Sequence, residues 1–124
     1  MDRKKIINDY IIAYNNFDIE KMLENFDEHI KFDNISNGVT SMTLTDLTSF
    51  RNQAEQAKNL FISRVQTIKS WRHQDNLVEI DIEYNAVIAK DLPNGLKKGQ
   101  NLNLQGKSIF KFLGHKIILL TDIS

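Results

Sequence analysis

The sequence has no cysteine, only one proline, and no stretch that approaches the ~18 consecutive apolar residues of a membrane span. Without cysteine, neither a disulfide framework nor a thiolate site can form. Basic residues near the N-terminus are followed by Asn8, Asp9 and Tyr10, which interrupt any apolar run, so a signal peptide is not expected. We therefore expect a cytoplasmic protein without a membrane partner.

An excess of charge of either sign is also missing, because sixteen basic and sixteen acidic residues cancel. A neutral chain offers no electrostatic footprint for nucleic acid or anionic lipid, so neither is expected as a partner. The sequence also lacks a glycine-rich phosphate loop, a Ser-His-Asp set and a cofactor fingerprint. Its histidines, His29, His73 and His115, lie far apart in no ligand spacing, so we expect no metal site and no cofactor.

What the sequence does contain is the composition of one globular domain over residues 1–124, with 41% hydrophobic and 26% charged residues. Apolar residues recur at helical spacing in three segments, 3–15, 19–26 and 46–61. Asp18 is a suitable N-cap for the second helix, and Thr45 or Asp46 for the third. We therefore predict three helices, all in the N-terminal half.

Strand patterns occupy the remaining segments, namely 29–36, 39–45, 62–73, 77–89, 101–112 and 116–124. Asn37-Gly38 is a hairpin turn signal between the first two. The later strands exceed the usual length of about five or six residues, so the sheet must bend, and Gly106 is a natural place for a bulge. The order of elements predicts an α+β fold, in which the three helices pack on the concave face of a cone-shaped, curved, mixed or antiparallel sheet.

In this arrangement the whole chain resembles the nuclear transport factor 2-like superfamily, which includes ketosteroid isomerases and SnoaL-like polyketide cyclases. The resemblance rests on the order of the elements and on three segments, "AYNNFDIEKML" (13–23), "DEHIKFDNISNG" (27–38) and "FLGHKIILLTDIS" (112–124). It implies a cavity between the helices and the concave face of the sheet, and a dimer formed through the sheet. It implies the fold more strongly than the activity, because one fold hosts many functions.

In the isomerases of this superfamily a helix tyrosine binds the substrate oxygen, a carboxylate on the first strand moves the proton, and an acid on a later strand assists the tyrosine. Aligned without gaps, these positions resemble Tyr10, Asn34 and Ser108. An amide cannot accept and return a proton near neutral pH, and a serine is only a weak donor in place of an acid. A true ketosteroid isomerase is therefore not expected.

The neighbours Asp33 and Asn34 raise the question of which side chain faces the interior. Alternation places Asn34 on the face of Ile30 and Phe32, and Asp33 on the face of Lys31. A one-residue bulge would reverse this assignment. We predict that Asn34 faces inward, and Asp33 stays a second candidate for proton transfer.

We predict one cavity whose lining residues share the apolar sides of their elements: Tyr10, Tyr14, Phe32, Asn34, Phe50, Tyr84, Ser108 and Phe110. For the two helix tyrosines, core packing is the alternative to ligand contact. Asp122, on the last strand, is a further titratable candidate. With a raised pKa it would act as acid or base at the cavity mouth, and the alternative is a solvated strand end.

Two features favour a homodimer through the outer face of the sheet. Trp71 shares its predicted strand face with Val65 and Thr67, which indicates the convex side. The run 117–120, Ile-Ile-Leu-Leu, is apolar on both faces, so the face turned away from the helices needs a cover. A second subunit is the simplest one.

Three functions are compatible with these residues. The first is binding of a small apolar or aromatic molecule in the cavity. The second is a cofactor-independent isomerase, cyclase or dehydratase that uses Tyr10 with Asp122 or Asp33. The third is a protein-interaction domain in which the cavity is only packing.

Overall fold

The computed structural model describes residues 2–124, which form three helices and one open six-stranded sheet. The elements follow in the order α1 (Arg3–Asn15), α2 (Ile19–Leu23), β1 (Phe26–Ser36), β2 (Val39–Leu44), α3 (Leu47–Lys58), β3 (Phe61–Gln74), β4 (Leu77–Ile88), β5 (Asn101–Leu113) and β6 (Lys116–Ile123). The strand order is β2-β1-β6-β5-β4-β3, and the β1–β6 pair is parallel while the other pairs are antiparallel. The predicted α+β fold with a mixed sheet is confirmed.

The helices begin and end for local reasons. Each begins after an aspartate whose side chain accepts a hydrogen bond from the backbone N–H three residues later: Asp2, Asp18 and Asp46. The second helix ends at Leu23 rather than at 26, because Phe26 already starts β1. The third ends at Lys58 rather than at 61, because Phe61 starts β3. Between β1 and β2, Asn37 and Gly38 adopt φ values of 52° and 79°, which confirms the predicted hairpin turn.

The hydrophobic core lies between the helices and the inner face of the sheet. Its most deeply buried side chains come from α1 and from the central strands: Ile7, Ile30, Val78, Ile80, Phe110, Phe112, Ile117 and Leu120. The outer face of β3 and β4 is mostly polar, apart from the exposed Val65, and there Arg72 is paired with Glu79 and Asp81. The inner face is therefore the side on which a site can form. Within residues 2–124, no helix has the length and apolar character needed to cross a membrane.

Trp71 lies on the helix side of the sheet, so the prediction that it packs on the convex side is wrong. The register of β3 against β4 shifts between Ile68 and Ser70, and such a bulge reverses the side-chain faces beyond it. Trp71 packs against the core, and the Lys4 ammonium on α1 lies 5.0 Å from the centroid of its ring. One of the two motives for a dimer through the outer face therefore falls away.

Gly106 allows β5 and β6 to approach each other closely and does not form a bulge. The pairing of β4 with β5 runs through Gly106 without a shift, so the bulge predicted there is absent. A Cβ atom on Gly106 would lie 2.8 Å from the carbonyl oxygen of Ile123. Glycine thus lets the end of β6 approach β5 closely, which is one of the uses of glycine inside a strand.

Candidate functional site

A cavity of about 270 Å³ lies between the three helices and the inner face of the sheet. Most of its wall is apolar, and the helices and first two strands supply Met22, Phe32, Met42, Leu44, Phe50 and Ala54. A second cavity, of about 180 Å³, adjoins it under β4 and β5. Tyr14, Asn34 and Asp122 line both cavities and therefore mark the boundary between them.

The structure brings together most of the residues that the sequence analysis proposed for the lining. Five of the eight line the first cavity: Tyr10, Tyr14, Phe32, Asn34 and Phe50. Tyr84 lines the second cavity. Ser108 and Phe110 are 3% and 0% exposed, and they lie behind the wall, where Phe110 packs edge-on against the Tyr10 ring. These two side chains support the site without lining either cavity.

Asp33 is not brought to the cavities. Its carboxylate accepts a hydrogen bond of 2.7 Å from the Thr43 hydroxyl and lies 3.8 Å from the Lys31 ammonium. The register shift between β1 and β2 falls after Asn34, so the alternation holds through both residues, and Asn34 lines the cavity while Asp33 does not. Of the two carboxylates considered for proton transfer, only Asp122 lines the cavities.

Asp122 is a carboxyl group that faces the cavities from a mostly apolar wall. Burial raises the pKa of Asp122 to about 6, because the charged form loses hydration. The Ser108 hydroxyl donates a hydrogen bond of 2.7 Å to Asp122 Oδ1, which partly offsets that increase in the pKa. A carboxyl with a pKa near the working pH can both accept and return a proton.

Asn34, Asp122 and Ser108 form one row across three adjacent strands. Asp122 on β6 is in register with Asn34 on β1 and with Ser108 on β5. The isomerase resemblance implies acidic side chains at the positions of Asn34 and Ser108. In this chain the carboxyl group lies between those two positions, at Asp122. The Asn34 amide is itself held in place, because Nδ2 donates to the Ser41 hydroxyl over 2.8 Å.

Three tyrosines supply hydroxyl groups to the cavities. Tyr14 donates a hydrogen bond of 3.0 Å to the Tyr84 hydroxyl, whereas the Tyr10 hydroxyl makes no hydrogen bond within residues 2–124. Burial raises the pKa of all three phenols, so they remain neutral donors at physiological pH. The Tyr10 hydroxyl is therefore available to an acceptor in the cavity.

Arg64 and Gln66 on β3 are inward-facing polar residues that the sequence analysis missed. Arg64 is 2% exposed and lines the first cavity, and Gln66 is 8% exposed and lines the second. The Gln66 backbone is fixed to the end of α1, because Asn15 bonds both its N–H and its carbonyl oxygen. Gln66 Oε1 is buried without a hydrogen-bond partner within residues 2–124. The spacing of Arg64, Gln66 and Ile68 was the available signal, because alternate residues of a strand share a face.

No metal centre is indicated by the geometry. Within residues 2–124, no three His, Asp or Glu side chains lie close enough together to hold a metal ion. His29 is exposed beside Glu28, and His73 stacks on Trp71 with ring centroids 6.1 Å apart.

Comparison with known proteins gives similar solved structures. No protein-family model matches the chain, and no curated protein matches it. A candidate polyketide cyclase from Xanthomonas campestris superposes with a TM-score of 0.82 at 18% identity, covering 98% of this chain and 88% of the other. A hypothetical protein from Catenulispora acidiphila with a ketosteroid isomerase-like fold, solved with trimethylamine, gives a TM-score of 0.76 at 14% identity over 94% and 82% of the two chains.

A third similar structure is TerC, which was co-crystallised with polyporic acid. It gives a TM-score of 0.78 at 11% identity and covers 97% of this chain and 88% of TerC. Identities this low establish the fold and not the activity. The chain therefore shares the α+β fold of nuclear transport factor 2-like and ketosteroid isomerase-like proteins, as the resemblance of its sequence implies.

Proposed function

We propose that the protein binds a small, mostly apolar or aromatic molecule in the cavity between the helices and the sheet. The observation that carries this proposal is the Tyr10 hydroxyl, which lines an apolar cavity and has no hydrogen-bond partner within residues 2–124. Apolar walls with a few convergent polar groups are the usual makeup of small-molecule sites. The cavity, at about 270 Å³, lies just below the range of roughly 300–1,000 Å³ for such sites, which favours a small ligand.

Two of the similar structures hold small molecules, polyporic acid in one and trimethylamine in the other. They support the idea that a cavity in this fold accepts a ligand, although neither molecule is thereby assigned to this chain. The cytoplasmic location expected from the sequence stays a prediction.

A thermal-shift screen with aromatic, polyketide-like and steroid-like compounds tests the proposal. A ligand at 100 times its dissociation constant stabilises the folded state by about 2.7 kcal/mol, which is easily measured. We expect Tyr10→Phe to weaken the best hits about two- to tenfold, because one hydrogen bond contributes roughly 0.5–1.5 kcal/mol. Asp33→Asn, on the outer face, is the matched control and should leave every hit unchanged. Hits that respond to neither Tyr10→Phe nor Asn34→Leu would contradict the assignment of the pocket.

A cofactor-independent isomerase, cyclase or dehydratase is the second candidate, and Asp122 is the observation that favours it. In such a reaction Asp122 accepts a proton from a carbon next to a carbonyl, the C–H electron pair forms a carbon–carbon double bond, and the carbonyl electrons move to its oxygen. Tyr10 donates a hydrogen bond to that oxygen as its charge develops. Hits from the screen that are converted by the native protein, and bound but not converted by Asp122→Asn, would decide for catalysis over binding alone.

We also propose that the protein is a homodimer through the outer face of the sheet. Ile117 and Leu120 are fully buried in the core, whereas Leu119 lies between Lys31 and Lys111 on the outer face and stays partly exposed. A second copy would cover this apolar position. Light scattering at micromolar concentration should give twice the chain mass, and Leu119→Lys should give the monomer. A native protein that is monomeric under these conditions would contradict the proposal.

A further inference from the structure

The Arg64 guanidinium is a buried cation without a carboxylate partner. It is 2% exposed, and within residues 2–124 no carboxylate forms an ion pair with it. Isolated charges are costly to bury, so buried arginines are normally paired with an anion. The contrast within the same strand is Arg72, which is exposed and nevertheless paired with two carboxylates.

The hydrogen bonds of Arg64 leave donors unused. A guanidinium carries five N–H groups. Nε donates to the Tyr14 carbonyl oxygen over 2.9 Å, and one N–H of Nη2 points to the Met22 sulfur at 4.0 Å, which is a weak acceptor. Arg64 makes no other hydrogen bond within residues 2–124. Arg64 is 2% exposed, and none of its nitrogen atoms is both fully buried and unpartnered, so the remaining donors are reached through the cavity that Arg64 lines, where water or a ligand acceptor can bind them.

Aromatic rings hold the guanidinium in this position. Its central carbon lies 3.7 Å from the centroid of the Tyr14 ring and 4.6 Å from that of Phe17. Phe17 has a φ of 59°, a left-handed conformation that is unfavourable for a bulky residue. This conformation lets the Asp18 N–H donate a hydrogen bond to the Ala13 carbonyl oxygen, which ends α1. The chain thus accepts a strained residue that covers Arg64, while Nη1 of the guanidinium has no protein acceptor within residues 2–124.

Arg64 and Asp122 face the same cavity from distant strands. The two strands, β3 and β6, are separated by β4 and β5, which corresponds to about 14 Å at ~4.8 Å per strand. Tyr10 lines the same cavity and feels both charges: burial raises the pKa of Tyr10, the Asp122 charge raises it further, and the Arg64 charge lowers it. The cavity therefore has a permanently cationic end and a titratable end.

We propose that Arg64 is an anion-recognition site, and that the natural ligand carries a planar oxyanion, a carboxylate or an ionised enol, on its apolar body. This proposal rests on the proposed binding function and narrows it to a class of ligand. The fork of N–H donors on arginine matches a planar pair of oxygens, which a neutral ligand cannot use to the same extent. The oxyanion sits at the Arg64 end, and the apolar body extends towards Asp122.

Calorimetric titration with two probes of the same shape tests the proposal. 2-Naphthoate carries the oxyanion at pH 7.5, and 2-naphthamide does not. We expect the native protein to bind the acid at least tenfold more tightly than the amide. Arg64→Gln should abolish this preference while leaving the affinity for the amide within about twofold, and Arg64→Lys should retain part of it. Arg72→Gln removes an arginine from the outer face and should not change the preference.

The outcomes separate the anion site from the proposed function. Equal binding of acid and amide by the native protein would overturn the anion site and leave ligand binding intact. Binding of neither probe would overturn both. A full preference for the acid in Arg64→Gln would overturn the role of Arg64. Should Arg64→Gln fail to fold, the Nη–H resonances of Arg64 in the native protein give the decision, because they must shift markedly more with 2-naphthoate than with 2-naphthamide.

Discussion

Replacing Asp122 with asparagine is expected to raise the free energy of unfolding at pH 8 by about 2 kcal/mol and to leave it nearly unchanged at pH 4. The folded state raises the pKa of Asp122 from 3.8 to about 6, mainly through burial. Between these two values the folded protein binds more protons than the unfolded chain, so stability falls as the pH rises through this window. The full shift corresponds to roughly 3 kcal/mol, and the partial exposure of Asp122 to the cavity reduces it.

Asparagine is a suitable replacement because it keeps the shape of the side chain and loses only the charge. Its amide oxygen can accept the Ser108 hydrogen bond that Asp122 Oδ1 accepts in the native protein. Urea denaturation at pH 4, 6 and 8 gives the measurement, and Asp33→Asn is the matched control on the outer face. If Asp122→Asn lowers the free energy of unfolding equally at pH 4 and pH 8, the buried charge of Asp122 does not destabilise the native protein.

Replacing Gly106 with alanine is expected to cost about 1–3 kcal/mol of stability, in the range measured when extra atoms are forced into a packed site. The new Cβ would lie 2.8 Å from the Ile123 carbonyl oxygen. That atom belongs to the backbone, so no side-chain rotation can relieve the contact. The end of β6 has to move away from β5, and Asp122, next to Ile123, moves with it.

The expected loss is measured by thermal or urea denaturation against Gln105→Ala. Gln105 is the preceding residue on the same strand and is exposed, so its truncation should change stability by less than about 0.5 kcal/mol. In Gly106→Ala the Ser108–Asp122 hydrogen bond should also lengthen, which NMR detects as a change in the titration of Asp122. If Gly106→Ala and Gln105→Ala are equally stable, the close approach of β5 and β6 does not depend on glycine at position 106.

The periodicity of apolar residues predicts this fold well, because most of the chain obeys it. The alternation of β4 is unbroken, with Val78, Ile80 and Ile82 buried and Glu79 and Asp81 on the other face. The same rule assigns Asn34 to the inner side of β1, because the register shift comes only after that residue. What the pattern cannot supply is the neighbour of each strand. The parallel pairing of β1 with β6, which sets Asp122 beside Asn34, is a long-range contact.

On β3 the pattern misleads, and it does so next to the site. Val65 is apolar and exposed, whereas Arg64 and Gln66 are polar and buried, so an assignment by polarity inverts the faces of this strand. The bulge after Ile68 then reverses the faces again and turns Trp71 inward. Polar residues that face the interior are a common exception to local rules at functional sites, because they serve a ligand rather than the core.

NMR titration of the labelled protein with 2-naphthoate shows whether the cavity between the helices and the sheet is the ligand site. We expect the backbone amide shifts of Tyr14, Asn34, Ala54 and Asp122 to change in a saturable manner. Those of Thr67 and Arg72, which are exposed on the outer face, should stay constant. Changes confined to the outer face, or none at saturating ligand, would contradict this assignment of the ligand site.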